Sequence, residues 1–218
     1  MKKIFNFYRH GSRKENKIAL TFDDGPSEET EKVLELLKEY NAKATFFVWT
    51  QRIKGREKTI KRILREGHEI ANHTHSHKRM IFKSFDFVKK DILKADEELK
   101  KQGIKTNLFR FPGFKWGITS FCVCLKLKKK VIFCDVVSQD WLRPWLKKRN
   151  PKVRIKLNPV IKRTLRKTKN GSIINLHDYL EGIGRHKEII PILEKVLPKL
   201  KERKYDFVTV SELLNFKK

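Results

Sequence analysis

Short apolar runs that fit β-strands alternate along this chain with longer stretches whose apolar residues recur every three or four positions, the spacing of a helix face. The first unit runs from Lys17 to Phe22 as a strand and closes on Asp23-Asp24-Gly25-Pro26. It continues from Ser27, a helix N-cap followed by acidic residues and the apolar series Val33, Leu34, Leu36 and Leu37. Ala44 to Trp49 and His68 to Ala71 read as strands, with a helix over Glu57 to Arg65 between them and another over Ser84 to Lys101, closed near Gly103. Leu108 to Phe111, Val131 to Val137, Ser172 to Leu176 and Asp206 to Val208 supply further strands. Pro159 to Lys169 and Lys187 to Arg203 supply further helices. This alternation predicts an α/β fold, a TIM-like barrel of seven or eight parallel strands. No linker, low-complexity tract or internal repeat divides it. Residues 1–16 read as a basic N-terminal segment and residues 17–218 as one domain.

In such barrels the loops after the strands converge on one mouth. The polar clusters fall there: Asp23 and Asp24 after the first strand, His73 and His77 after the strand ending near Ala71, Arg110 in the Leu108 strand, Asp140 after the Val131 strand, His177 after the Ser172 strand. In His73-Thr74-His75-Ser76-His77, two imidazoles four residues apart reach one ion when the segment is helical or tightly turned. Asp24 is the best-placed carboxylate to complete a facial set that keeps positions open for water and substrate, as a catalytic ion requires. The pair alone is a weak signal, and exposed or core histidines are its plain alternative. His75 is expected to point away as a solvated surface histidine. Asp23 and Asp24, being adjacent, diverge and can divide duties, one on the metal and the other as general base. The plain alternative is a turn that caps the next helix.

Composition narrows the partners. The 218 residues carry 52 Lys and Arg against 25 Asp and Glu, a net charge of +27, and 15 Phe with 4 Trp exclude a disordered chain. The first ten residues start basic, but their apolar run is broken at Asn6 and ends at Arg9, short of a secretory core. No stretch approaches the roughly 20 apolar residues of a membrane span. The expectation is a cytoplasmic protein, peripheral at most to the inner membrane face. Cys122, Cys124 and Cys134 are expected as reduced thiols on apolar elements. From Trp141 to Asn170 there are twelve Lys and Arg and no acid. Trp141, Leu142, Trp145 and Leu146 beside Arg143, Lys147, Lys148 and Arg149 suit an anionic membrane surface or an anionic glycan. Nucleic acid is the other polyanion, and a solvated basic surface the plain alternative.

Five pieces in order, Thr21-Phe22-Asp23-Asp24-Gly25-Pro26, Asn72-His73-Thr74-His75-Ser76-His77, Arg110-Phe111-Pro112, Asp140-Trp141 and Leu176-His177-Asp178, resemble the motifs of the polysaccharide deacetylase family, the NodB-homology domain of carbohydrate esterase family 4. The resemblance covers residues 17 to 214. It implies a distorted (β/α) barrel, one divalent metal ion, zinc foremost with cobalt as the alternative, and hydrolysis of N-acetyl or O-acetyl groups on a carbohydrate such as N-acetylglucosamine units. It implies Asp23 as base, Asp24, His73 and His77 as metal ligands, and His177 as the acid that protonates the leaving amine. Arg110 corresponds to the arginine that holds the base, and Asp140 to the aspartate that orients the acid histidine. Pro112, Gly113, Trp141 and Leu176 correspond to substrate contacts, with Trp141 and Leu176 lining the acetyl-methyl pocket and the Gly113 N–H aimed at the oxyanion.

Two positions depart from the family pattern. Val137 stands where the fourth motif often has its first aspartate, and Gly113 stands where many members carry an aromatic, which opens one wall of the groove. Three functions compete: a metal-dependent carbohydrate deacetylase, a deacetylase or deformylase of a lipid-linked sugar at the cytoplasmic membrane face, and a non-enzymatic nucleic-acid-binding protein suggested by charge alone.

Overall fold

The computed structural model describes residues 6–150 and 157–216. In chain order these form β1 (Phe7–Tyr8), β2 (Lys17–Asp23), α1 (Glu28–Glu39), β3 (Ala44–Val48), α2 (Glu57–Arg65), β4 (Glu69–Asn72), α3 (Phe85–Lys101), β5 (Leu108–Phe109), α4 (Ile118–Lys126), β6 (Lys130–Ile132) and β7 (Val136–Val137). They continue through α5 (Leu142–Arg149), α6 (Asn158–Lys167), β8 (Ile173–His177), β9 (Tyr179–Leu180), β10 (Gly184–Arg185), α7 (Ile189–Glu202), β11 (Asp206–Phe207) and α8 (Val210–Leu213). The main sheet runs β1-β6-β5-β4-β3-β2-β8-β7, parallel throughout, with β11 beside the start of β2. This curled parallel sheet with its helices is the distorted (β/α) barrel.

The central strand shows how the sequence positions the chemistry. Both faces of β2 are buried, which is why it reads as an almost continuous apolar run. Ile18, Leu20 and Phe22 pack outward with Leu34 and Leu37 of α1 and Leu193 and Val196 of α7. Ala19 packs inward with Phe47, Ile132 and Ile173. Period-two alternation therefore puts Thr21 and Asp23 on the inward column, and the strand's last residue lies at the barrel mouth. The next turn is fixed by the start of α1, where Ser27 Oγ accepts from the Glu29 N–H at 3.1 Å and Thr30 Oγ1 accepts from the Ser27 N–H at 2.7 Å.

The strand anticipated over Val131 to Val137 is instead two. β6 pairs with β5 and β1, whereas β7 pairs with β8 at the other edge of the sheet. Asp135 causes the break by leaving the ladder: its Oδ1 accepts from the Ile173 N–H at 2.8 Å and its Oδ2 from Ser172 Oγ at 3.0 Å. The same carboxylate pairs with Arg13 at 2.8 Å, and Gly11 donates to the Gly171 carbonyl. Residues 7–14 thus pack against the sheet, with β1 on the free edge of β6. The strand over Leu108 to Phe111 shortens to β5, because Phe111 leads into a single 3-10 turn at Pro112–Phe114. Helix α4 and the β9–β10 hairpin were not anticipated from the hydrophobic pattern. Among the described residues no helix is long and apolar enough to cross a membrane.

Candidate active site

At the end of β2 the backbone turns sharply at Asp24, whose φ of 74° is left-handed, a conformation Asp tolerates better than most residues. The following Gly25 is required, since a Cβ there would lie 2.2 Å from Asp178 Oδ2. After β4, the segment carrying the histidines is a tight turn rather than a helix. Asn72 Oδ1 accepts from the Thr74 N–H at 2.7 Å, Thr74 Oγ1 accepts from the His77 N–H at 3.0 Å, and Thr74 and His77 both adopt positive φ. Two side chains capping their own loop in this way hold His73 and His77 towards one point.

That point is Asp24. His73 Nε2 lies 3.3 Å and His77 Nε2 2.8 Å from Asp24 Oδ1, and all three side chains are buried. One ligand atom from each falls within 4.8 Å of the others. Both Nε2 atoms are buried and face the same carboxylate oxygen without a well-directed hydrogen bond. The set suits a divalent ion bound by two imidazoles and one carboxylate, with further positions open. Burial opposes the charge on Asp24, but His77, then His73 and His177, hold its pKa well below the usual carboxylate range. His75 lies outside the set, yet it is not the solvated histidine anticipated: its ring is partly buried, with Nδ1 3.0 Å from Thr50 Oγ1.

Beside the triad stands a second buried group. Asp23 Oδ1 accepts from Arg110 Nη1 at 2.6 Å, and its Oδ2 accepts from Asn175 Nδ2 at 2.8 Å. Arg110 is fully buried; it also donates to Thr21 Oγ1 and to the Ile132 carbonyl and lies 3.8 Å from the Phe47 ring centroid. His177 is the register partner of Asp23 across the β2–β8 ladder. Asp140 Oδ1 contacts His177 Nδ1 at 2.8 Å, and its Oδ2 accepts from the His177 backbone N–H at 2.8 Å. Burial disfavours the imidazolium, but Asp140, with Asp24 and Asp23 beyond, outweighs it and raises the His177 pKa to about 10. Asp140 in turn is held far below the carboxylate range by His177 and His186 against the cost of its own burial.

The remaining anticipated contacts divide. Pro112 is buried, and Gly113 sits at a φ of 58° with nothing closer to an added Cβ than Lys115 Cγ at 4.0 Å. Trp141 is half-exposed next to Asp140, to which its backbone N–H donates at 3.1 Å. Leu176 does not line the mouth: it is fully buried in the outer cluster with Leu20, Phe22 and Ile174. The alternation of β8 explains this correction, since a residue adjacent to His177 must face the opposite side. Asn175, two positions before His177, shares its face, and strand periodicity could have identified it. Sequence reading also missed His186, whose Nε2 lies 3.2 Å from Asp140 Oδ2, and Glu181, whose Oε2 lies 3.0 Å from His77 Nδ1. Both come from the β9–β10 segment.

The basic stretch is partly described. Helix α5 has no buried residue, and Trp141 and Trp145 at its start are each more than a third exposed. Arg143 pairs with Glu188, Lys148 Nζ donates to the Gly182 carbonyl, and Arg149 covers the Trp145 ring. Residues 151–156 of the stretch lie outside the described part. Of the cysteines, none forms a disulfide; Cys122 is exposed, and burial pushes the Cys124 and Cys134 thiols up to about 12.

The sequence profile of the polysaccharide deacetylase family matches residues 10–128. The chain is 38% identical over 204 residues to a peptidoglycan-N-acetylglucosamine deacetylase of Bacillus cereus, covering 92% of this chain and 89% of that one. Longer relatives match too, and the chain spans 38% of one of them. Among solved structures, the Bc1960 peptidoglycan N-acetylglucosamine deacetylase superposes with a TM-score of 0.86 at 27% identity, over 98% of this chain and 95% of that one. A family 4 acetyl xylan esterase from Clostridium thermocellum, in complex with a cobalt ion, superposes with a TM-score of 0.76 at 32% identity, over 90% and 89%.

Proposed function

The chain belongs to the polysaccharide deacetylase family and is a carbohydrate deacetylase, and on that premise we propose that it hydrolyses N-acetyl groups on N-acetylglucosamine units of a glycan, with a divalent ion, zinc foremost, held by Asp24, His73 and His77. The reading is carried by one observation: buried Asp23 and partly buried His177 sit in register on neighbouring strands, beside a ligand set whose two imidazole Nε2 atoms converge on Asp24 Oδ1. When bound, the ion supplies Lewis-acid polarisation of the amide carbonyl and a water of lowered pKa. Asp23 acts as general base. Arg110 and Asn175 fix its carboxylate from two sides, so it cannot swing round to join Asp24. His177 is the general acid: Asp140 occupies its Nδ1 and favours the imidazolium, leaving Nε2 to protonate the departing nitrogen. A divalent ion held by Asp24, His73 and His77 would oppose the raised pKa of His177 and so favour release of its proton.

The substrate class rests on the kinship with enzymes of peptidoglycan N-acetylglucosamine. The test is acetate and free-amine release from chito-oligosaccharides, peptidoglycan fragments, acetylxylan and a lipid-linked amino sugar, after chelation and zinc reconstitution. Release from N-acetylglucosamine substrates with zinc is expected. Release from acetylxylan alone would make the enzyme an O-deacetylase, and turnover undiminished by chelation would remove the metal.

We further propose that α5 brings the enzyme to an anionic surface, a bilayer or an anionic glycan. The supporting feature is a helix without buried residues that presents Trp141 and Trp145 among Lys147, Lys148 and Arg149.

A further inference from the structure

Glu181 has no part in the reaction outlined above, yet its carboxylate reaches from the turn between β9 and β10 to His77. Glu181 Oε2 lies 3.0 Å from His77 Nδ1, while His77 Nε2 faces Asp24. A carboxylate on Nδ1 fixes the tautomer: the proton stays on Nδ1, and Nε2 keeps the lone pair that an ion needs. His73 meets the same requirement differently, since its Nδ1 lies 2.9 Å from the Arg110 carbonyl. One imidazole is thus oriented by a buried main-chain group and the other by a side chain that is 57% exposed.

The surroundings of Glu181 keep it in place. Leu180 pairs with Gly184 in the hairpin, and the Ile183 N–H donates to the Leu180 carbonyl at 3.1 Å. Lys148 of α5 holds the carbonyl of Gly182, the next residue, and the Arg52 guanidinium stacks on the ring of Tyr179 at the hairpin's start, 3.2 Å from its centroid. On the His77 side, the Trp49 ring stacks against the imidazole with centroids 4.8 Å apart, and Trp49 Nε1 donates to the His75 carbonyl at 2.9 Å. Trp49 therefore limits the tilt of the imidazole, which leaves the flip of the ring and the location of its proton to be set by the group at Nδ1.

We propose that Glu181 is the positioning residue for His77: by holding the Nδ1 proton it aims Nε2 into the ligand set and so sets how tightly the ion is retained. This rests on reading Asp24, His73 and His77 as the metal site. Outer partners of this kind typically change metal affinity by 10- to 100-fold, and the exposure of Glu181 puts the expected effect near the lower figure, about tenfold.

The experiment measures zinc affinity by competition with a chromophoric chelator, and zinc release by chelator chase, for the unaltered chain, Glu181→Ala, Glu181→Gln and Asp24→Ala. Thermal unfolding of the metal-free forms runs alongside. Glu181→Ala is expected to bind zinc about tenfold more weakly and release it faster. Glu181→Gln, whose amide oxygen still accepts from Nδ1, should fall between the two. Metal-free melting should stay unchanged. Zinc affinity within twofold of the unaltered chain for both Glu181 variants overturns the proposal, as does a metal-free melting temperature that falls in step with affinity, which would make Glu181 a fold contact. Asp24→Ala separates this from the metal reading. If it retains zinc as tightly as the unaltered chain, the ligand set is wrong; if it loses zinc while the Glu181 variants do not, only the role of Glu181 fails.

Discussion

Arg110 meets Asp23 at 2.6 Å with no solvent reaching the arginine, and the same guanidinium donates to Thr21 Oγ1 and to the main-chain carbonyls of Ile132 and Phe133. The planar fork serves four acceptors at once, which an ammonium cannot do from one position. Arg110→Lys should keep the charge, lower kcat at least tenfold and cost roughly 2–4 kcal/mol of stability through the buried acceptors left unpaired. Steady-state kinetics and denaturant unfolding check this, and an unchanged kcat in the lysine variant would separate Asp23 from its proposed support.

The metal set predicts a pattern across the histidines. Alanine at Asp24, His73 or His77 should remove bound zinc and activity together, whereas His75→Ala should spare both, because His75 faces Thr50. Elemental analysis after dialysis decides it. Loss of zinc from His75→Ala equal to that from His73→Ala would void the assignment.

Proton transfer should come apart from metal binding. Asp23→Asn and His177→Ala are expected to retain zinc and lose about 10²- to 10⁴-fold in kcat with little change in KM. Because the proposed acid must be protonated, activity falls as pH rises through the His177 pKa. Asp140→Asn withdraws the carboxylate that raises this pKa and should move the alkaline limb to lower pH. An alkaline limb that stays put would exclude His177 as the titrating acid.

His68 makes a prediction about stability rather than turnover. Burial holds its pKa down to about 4, and the neutral ring accepts the Ala44 N–H on Nδ1 at 3.2 Å. A base depressed in the fold takes its proton more readily when unfolded. Its contribution is therefore present above about pH 6.5 and drains away as pH falls towards 4, by up to about 3 kcal/mol. His68→Asn keeps an acceptor that does not titrate, so the loss in denaturant stability between pH 7 and pH 5 should shrink. An identical loss in both proteins would assign it elsewhere.

The basic face should respond to salt. Co-sedimentation with anionic vesicles, or with an anionic glycan, is expected at low ionic strength, and a few hundred millimolar salt should weaken it sharply. A variant with Lys147→Gln, Lys148→Gln, Arg149→Gln and Trp145→Ala should lose it. Equal sedimentation of both proteins would leave α5 a solvated surface.

Much of the fold was legible because β2, α1, α2 and α3 carry strong local periodicity with marked ends, and the site residues fall at those ends. What local pattern could not show is pairing at a distance. The run from Val131 to Val137 looks like one strand until Asp135 is seen bonded to Ser172 and Ile173. Glu181 and His186 lie in a short hairpin segment with no apolar repeat, and their partners are 104 and 46 residues away. Leu176 misled for a different reason: a motif read as a string ignores that neighbours on a strand face opposite ways, so the residue that shares the site with His177 is Asn175.

The register that sets Asp23 opposite His177 fixes the span between the proposed base and acid as a repeat distance of the sheet, about 4.8 Å between strands. No surface loop has to hold that span. The half-exposed Trp141 can therefore be replaced without altering that span. The converse also holds: slipping β8 by one residue along β2 would bring Leu176 or Asp178 opposite Asp23 and turn His177 to the other face of the sheet. The spacing of Asp23 and His177 is thus carried by a single ladder of hydrogen bonds, whereas Asp24, His73, His77 and Asp140 depend on the turns that follow their strands.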